Sequence, residues 1–540
     1  SWLNENTLNW NKTFGKSHTI NAVAGFTAQS GKSSSYGMQA TQLPNEELGL
    51  SGLDEGILQP ISATSSLWSM ASYLGRVNYS YKSKYLFTAS FRADGSSKFS
   101  SDNKWSYFPS AAFSWRFSKE NFLVNSKVLS EGKFRISYGQ TGNNRVGDFA
   151  YLTLMRLTNP LYVFNNNYQP GVEAVQLGNS DLRWENTRQI DIGVDLGFFD
   201  QRLNFTADVY QKTTPDLLLN ANLPLPTGFT TVFKNVGSVR NQGLEFSLNS
   251  VNIQKAKFSW SSSFNISFNK SEVLKLAEDQ EALISNINWD QQWRNTPAYI
   301  AKLGMPLGMM YGFIWDGVYT YDDFNRTGTG GYILKDNVTT NGNNRDRIQP
   351  GDIKYRDLNG DKVVNANDYT VIGRGLPVHY GGFTNNFTYG DFDLNIFFQW
   401  SYGNDILNTN LVYFGANEAH TSRNLFAFYK DRWTPENPDS KIPRLKGFRG
   451  GGYSSYMVED GSYLRLKTVS LGYNVNSRLL SKVKIRSLRA YVSAQNLITW
   501  TNYTGLDPEV SAYNSALTPG FDFSTYPRAR TVTFGLNLSF

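Results

Sequence analysis

The sequence predicts an all-β protein, a transmembrane antiparallel β-barrel, on three observations. Segments of about ten residues alternate apolar and polar side chains, the period-two pattern of a strand with one apolar and one polar face. Their connections alternate between very short turns and long polar loops, as in outer-membrane barrels with short periplasmic turns and long extracellular loops. The composition is aromatic-rich yet hydrophilic, with 15% aromatic and 40% hydrophobic residues and a mean hydropathy of −0.42. A soluble sandwich also alternates, but its strands usually run only about five or six residues.

Other classes are excluded by composition. No stretch reaches the ~20 consecutive apolar residues of a membrane-spanning helix. With no Cys, disulfide scaffolds, thiol nucleophiles and thiolate-bound metals are ruled out. The net charge of +7 is scattered rather than blocked, so no nucleic-acid partner is expected.

Taken in order, strands are predicted near 6–14, 17–29, 70–81, 84–94, 104–117, 132–141, 184–199, 202–213, 236–251, 256–269, 307–319, 378–389, 391–403, 462–475, 485–499 and 527–540. Among the clearest is Ile190, Ile192, Val194, Leu196 and Phe198 set against Gln189, Asp191, Gly193, Asp195 and Gly197. A second sets Phe392, Leu394, Ile396, Phe398 and Trp400 against Asp393, Asn395, Phe397 and Gln399, and a third carries Val532, Phe534, Leu536, Leu538 and Phe540. Short connections fall at Gly15-Lys16, Lys82-Ser83, Asp200-Gln201, Ile253-Gln254-Lys255 and Gly390. Strict alternation of short and long connections then demands one more crossing, placed at Ala298–Leu303 and turning through Gly304-Met305-Pro306. The tally becomes about seventeen. Because bacterial single-chain barrels have even strand numbers, an odd tally leads to the expectation that at least one N-terminal strand lies outside this sequence.

Seven blocks occur in order: FRADGSSKFSSDNKWSYFPSAAFSWRFSKENF from Phe91, LRWENTRQIDIGVDLGFFDQRLNFTADVYQKTTPDLLL from Leu182, NVGSVRNQGLEFSL from Asn235, PLGMMYGFIWDGVY from Pro306, GDIKYRDLNGDKVVNANDYTVIG from Gly351, FDLNIFFQWSYGNDILN from Phe392 and SYLRLKTVSLGYNV from Ser462. Together they resemble the SusC/RagA branch of TonB-dependent outer-membrane transporters. The resemblance implies a barrel of about 22 strands in the bacterial outer membrane, preceded by a plug domain that is absent from this sequence. It also implies TonB-dependent import of glycan oligosaccharides or peptides, coupling to the TonB complex through the missing N-terminal region, and a SusD-like surface lipoprotein as lid. Residues 1–540 are accordingly expected to be the C-terminal part of one barrel with no separate soluble domain, 320–377 forming a large extracellular loop. A passive porin, or a surface β-rich adhesin, is the alternative.

Within that loop, Asp357, Asn359, Asp361, Asn365 and Asp368, with the Val363 carbonyl, fall at the oxygen-donor spacing of an EF-hand-type calcium loop. Lys362 departs from the pattern where Gly normally makes the turn, and Asp368 stands where the bidentate Glu would be. A structural calcium ion is one expectation and an Asx-rich turn the other. Phe540, an aromatic last residue on an alternating strand, resembles the signal read by the barrel assembly machinery.

Trp68, Tyr85, Trp105, Tyr107, Trp115, Trp315, Tyr473 and Trp500 lie near predicted strand ends, where amphipathic rings form interfacial girdles. Tyr162, Phe164, Tyr168, Trp289, Trp293, Tyr413, Phe414, Tyr453 and Tyr456 lie in long loops. They are candidates for contact with substrate or lid, with packing inside the loops as the alternative. His18, His379 and His420 are far apart, so no catalytic constellation is expected and the chain is not read as an enzyme.

Overall fold

The computed structural model describes residues 1–540 except 46, 158–161, 165, 170, 230, 278–279, 292, 329, 416–423, 448–451, 477–479, 481–484 and 514. The side chains of Tyr162, Tyr168, Asn220, Asn222 and Leu225 also lie outside the described set. Fifteen strands form the principal sheet. They are β1 (Trp2–Phe14), β2 (His18–Gly37), β3 (Ser62–Tyr81), β4 (Tyr85–Ser96), β5 (Trp105–Trp115), β6 (Leu129–Asn143), β7 (Glu185–Phe198) and β8 (Leu203–Asn222). There follow β9 (Thr231–Gln254), β10 (Phe258–Lys275), β11 (His379–Tyr389), β12 (Phe392–Tyr402), β13 (Tyr463–Asn474), β14 (Ser487–Thr501) and β15 (Thr531–Ser539). Strands consecutive in this list are neighbours in the sheet, antiparallel from β1 to β6 and from β10 to β15.

Two predicted wall strands are corrected. Residues 298–303 fall largely in Pro297–Lys302, and the 307–319 segment divides into Met309–Gly312 and Trp315–Val318, all outside the principal sheet. Pro297–Lys302 and Met309–Gly312 belong to a four-stranded sheet with Ala282–Asn286 and Thr370–Arg374. The physical reason is burial on both faces: Ala298, Tyr299, Ile300 and Ala301 are all buried in succession, whereas a wall strand must leave alternate residues facing lipid. Without these two, every connection of four residues or fewer follows an odd-numbered strand: β1, β3, β7, β9 or β11.

The short turns follow from backbone stereochemistry. Lys82 and Ser83 both take positive φ, at 52° and 54°, and turn the three-residue loop Lys82–Lys84 so that the Lys84 amide donates to the Tyr81 carbonyl at 2.9 Å. After β5, Glu120 accepts from the Tyr85 hydroxyl at 2.7 Å, the Lys84 ammonium at 2.9 Å and the Trp115 indole at 3.2 Å. These donors hold its carboxyl down at about 2.

The chain divides into two compact units. The first comprises 1–124, 133–193 and 210–239, with a core of Phe99, Phe108, Val146, Ala150, Leu182 and Trp184. The Trp184 indole donates to the Lys104 carbonyl at 3.0 Å, satisfying the one polar atom its ring would bury. The second comprises 125–132, 194–209 and 240–540. Its largest core draws Trp293, Tyr299, Phe313, Tyr355, Val412, Tyr453 and Phe521 from the segments joining β10 to β11, β12 to β13 and β14 to β15. Among the described residues, no helix is long and apolar enough to cross a membrane.

Candidate functional site

Strand register assigns each wall residue a face. In the first unit Val77, Phe87, Phe91, Tyr107, Ile136 and Tyr138 are exposed on one row, and Ile190 and Ile192 are exposed too. Such large apolar side chains on the exposed face of a sheet require an apolar medium. The opposite face is polar and hydrogen-bonded across strands. Thr88 donates to Asn78 at 2.9 Å, Asn78 to Asn21 at 3.0 Å, and Asn21 to Asn11. Ser90 and Ser110 meet at 2.6 Å, while Arg92 donates to Asp94 at 2.7 Å and to Ser72 at 3.0 Å. A ladder of this kind keeps each amide and hydroxyl partnered.

The second unit repeats the division. Phe392, Leu394, Ile396, Phe398 and Trp400 pair across to Tyr473, Leu471, Val469, Leu466 and Leu464. On the other face Arg489 grips Asp393 through two nitrogens, at 3.0 and 2.5 Å. Arg465 shares that face, is only 1% exposed, and meets Asp507 at 2.5 Å and Glu509 at 2.9 Å. Lys467 reaches Glu509 at 3.2 Å. Asp507 and Glu509 come from the segment between β14 and β15, so that segment is tied to the polar face of the wall. No local pattern announces this cluster, because its two halves are about forty residues apart and the loop half lacks any period.

The loop aromatics prove largely structural. Tyr453 is fully buried and Trp293 is 9% exposed, their rings 4.9 Å apart, so both are corrected from ligand contact to core packing. Tyr453 also accepts from the Trp289 indole at 2.6 Å. Trp289 lies 4.6 Å from Phe523 and 5.7 Å from Tyr413, Tyr413 packs on Phe414, and Tyr456 packs edge-on against Trp315. Phe164 remains 69% exposed, and the side chains of Tyr162 and Tyr168 lie outside the described residues. Of the girdle candidates, Trp315 sits outside the wall sheet and Trp68 falls on the polar row by its pairing with Gly31. Trp105, Tyr107, Tyr473 and Trp500 are exposed on the apolar row. Phe540 is 88% exposed beyond β15.

In the calcium-like loop the oxygens meet backbone amides. Asp357 accepts from Gly360 at 2.6 Å and Lys362 at 2.7 Å, Asn359 from Asp361 at 3.0 Å, and Asp361 from Val363 at 2.8 Å. The buried Asp368 accepts from Leu358 and Asn365, both at 2.8 Å. Burial would raise Asp357, but these amides outweigh it and hold the carboxyl below its usual range. Lys362 takes φ +65°, adopting the left-handed turn for which Gly is the usual residue. Asn365 donates to the Val363 carbonyl at 3.1 Å and accepts from the Asn367 amide at 2.9 Å. Among the described residues, no three acidic or histidine side chains converge as a metal cluster.

Acid–base machinery is lacking among the described histidines. His18 bonds Tyr79 at 2.7 Å, and His379 accepts from the Trp400 indole at 3.3 Å; His420 lies outside the described residues. Burial pushes Tyr369, Tyr429 and Tyr456 up to about 12, far from a general acid or base working near neutrality.

Residues 1–373 match the family model described as TonB dependent receptor-like, beta-barrel. The chain belongs to this family. TonB-dependent receptor P3 of Formosa agariphila is 36% identical over 545 residues, covering 100% of this chain and 52% of the relative. TonB-dependent receptor SusC of Bacteroides thetaiotaomicron is 31% identical over 486 residues, covering 87% of this chain and 44% of the relative. The structure of the RagAB peptide transporter superposes with a TM-score of 0.82 at 24% identity, covering 100% of this chain and 55% of that one. The chain thus spans about half the length of the curated relatives it matches. As a TonB-dependent receptor β-barrel of SusC/RagA type, it is an outer-membrane protein and not an enzyme. Its apolar row is the lipid face, and its asparagine and arginine ladders are the polar lining.

Proposed function

We propose that the receptor containing this wall imports an oligomeric nutrient, a glycan oligosaccharide or a peptide, across the outer membrane in a TonB-dependent step, with a SusD-like lipoprotein as its lid. The observation that carries the reading is the two-faced wall joined to loops with their own aromatic core. A polar lining suits passage of a hydrophilic solute, and a packed loop body is a firm seat for a lid in a way that disordered loops are not. Among the described residues, exposed Phe164 and half-buried Trp289, Tyr413, Phe414 and Tyr456 are the candidate aromatics with surface left for lid or substrate. The likeness to TonB-dependent receptors, and to a peptide transporter in fold, is consistent with this reading. Uptake of labelled oligosaccharides and peptides by cells with and without TonB tests it. Uptake is expected only with receptor and TonB together; equal uptake without TonB would establish a passive pore instead.

The loop 357–368 is further proposed to brace itself around calcium through Asp357, Asn359, Asp361, Val363, Asn365 and Asp368. Its support is the donor spacing together with the left-handed Lys362 at the turn. In calorimetry on the purified receptor, calcium binding is expected and Asp361→Ala is expected to abolish it. An unaltered parent protein giving no heat would leave the amide-bonded turn as the whole account.

A further inference from the structure

Within the second unit, residues between 321 and 350 and between 432 and 445 line an open surface cleft of about 400 Å³ that includes Tyr321, Tyr332, Gln349, Arg432, Trp433 and Arg444 in its lining. That volume is at the small end of ligand pockets, suited to a short segment of an oligomer. Tyr321 stands 5.3 Å from Tyr332 and 5.4 Å from Trp433, with the rings tilted by 44° and 55°. Rings tilted around a common hollow keep faces and edges available, whereas a parallel stack covers its own faces.

Trp433 is built into place. Its backbone amide donates to the Ile442 carbonyl at 2.8 Å, and its ring lies against Gly351, where a Cβ would come within 2.4 Å of it. Gly351 also takes φ +84°, so both the close approach and the backbone require glycine. The Trp433 residue is 6% exposed, and its buried indole N–H has no acceptor among the described residues. That N–H is closed off from solvent, so Trp433 serves the cleft as packed ring and not as a donor.

The two arginines differ. Arg444 is committed to the buried Asp352 at 2.6 Å. Arg432 rests over the Tyr429 ring at 5.5 Å and, among the described residues, its hydrogen bond goes to a backbone carbonyl, that of Tyr429, at 3.4 Å. Among the described residues no carboxylate lies within 4.0 Å of its guanidinium, so its fork is open to a planar anion.

We propose that this cleft is a subsite for an acidic saccharide, a uronate residue of an oligosaccharide. Its sugar ring lies against Tyr321 and Tyr332, and its carboxylate takes the Arg432 fork. Peptides also use aromatic-lined grooves and arginine clusters, so an acidic peptide is the rival ligand; a single uronate residue presents both the ring face and the carboxylate that Tyr321, Tyr332 and Arg432 together would take. The proposal rests on the glycan branch of the import reading.

Calorimetry on the purified receptor in detergent, with a galacturonate oligomer, a neutral oligosaccharide of equal length and an acidic peptide, separates the possibilities. The uronate oligomer is expected to bind. Arg432→Gln should weaken it by about tenfold or more and leave the weaker neutral ligand unchanged, while Tyr332→Ala should weaken both. No heat with the uronate, equal affinity in parent and Arg432→Gln, or Arg432-dependent binding of the peptide alone would each overturn the proposal. Because binding is measured without TonB, its failure leaves import open, and TonB-dependent uptake of another oligomer would show that only the cleft was misassigned.

Discussion

Asp507→Ala is expected to loosen the segment between β14 and β15 from the wall and to lower the receptor's stability by about 3 kcal/mol, the low end for removing one partner of a buried ion pair. The expectation rests on desolvation. Arg465 is 1% exposed and stands on the polar row of β13, where removing the 2.5 Å partner leaves a guanidinium that water reaches poorly. Glu509, 2.9 Å away, limits the loss because it is 27% exposed and already shared with Lys467 at 3.2 Å. Asp507 also accepts from the amides of Glu509 at 2.8 Å and Arg528 at 3.0 Å, so alanine removes two loop-shaping bonds together with the charge. Replacing Arg465 and Asp507 together by Met and Leu should recover much of the loss, since no unpaired charge then remains.

The same carboxylate sets a pH dependence. Burial pushes Asp507 up, but the two amides and Arg465 outweigh it and hold it below the usual range. A group whose folded pKa is depressed stabilises above its unfolded value, about 3.9, and that contribution is lost as pH falls through the folded value. Protease cleavage within 502–530 should therefore rise in Asp507→Ala at neutral pH and in the parent only in acid. Identical cleavage of variant and parent across that range would refute the role assigned to the cluster.

Tyr453→Ala should cost the loop body about 3–5 kcal/mol, the range for deleting a buried aromatic side chain. Tyr453 is fully buried, touches Trp293 at 4.9 Å and accepts from Trp289 at 2.6 Å. Its carbonyl takes the Phe313 amide at 2.8 Å, and a Cβ on Gly312 would lie 2.2 Å from that same oxygen. Tyr453→Phe separates ring from hydroxyl: it keeps the packing, leaves the Trp289 indole without its acceptor, and should cost about 1–3 kcal/mol. Hydrogen exchange is the readout. The Phe313 and Ser455 amides, paired to the Tyr453 and Phe313 carbonyls at 2.8 and 3.0 Å, should lose protection in Tyr453→Ala while amides in β2 and β3 keep theirs. Unchanged exchange at Phe313 would show that Tyr453 does not hold the loop core.

The wall was legible because its signal is local. Alternation such as Phe392 to Trp400 reports which medium each face meets, whatever the partner strand. The same rule misplaced 298–303 and 307–319. The first is a nearly continuous apolar run, which fits a strand buried on both faces as well as a crossing. The second held two short strands of the loop body, and treating it as one crossing created the demand for another. The candidate site was less legible. The oxygen spacing of 357–368 can be read along the chain, but the Arg432 cleft and the Arg465 cluster join residues with no periodic relation. Trp433 gains its environment from Tyr321 and Gly351, about eighty residues or more upstream.

By itself the sequence determined the class of fold, the two faces of the wall and the kinship with TonB-dependent receptors, because these depend on a two-residue period and on contiguous blocks. Only the tertiary structure decided that Tyr453 and Trp293 are core, that Arg465 binds a loop to the lining, and that Arg432 meets no carboxylate among the described residues. Burial and charge pairing depend on contacts between distant segments: Tyr299 donates to the Pro519 carbonyl at 2.9 Å across 220 residues. No local pattern encodes a distance of that kind.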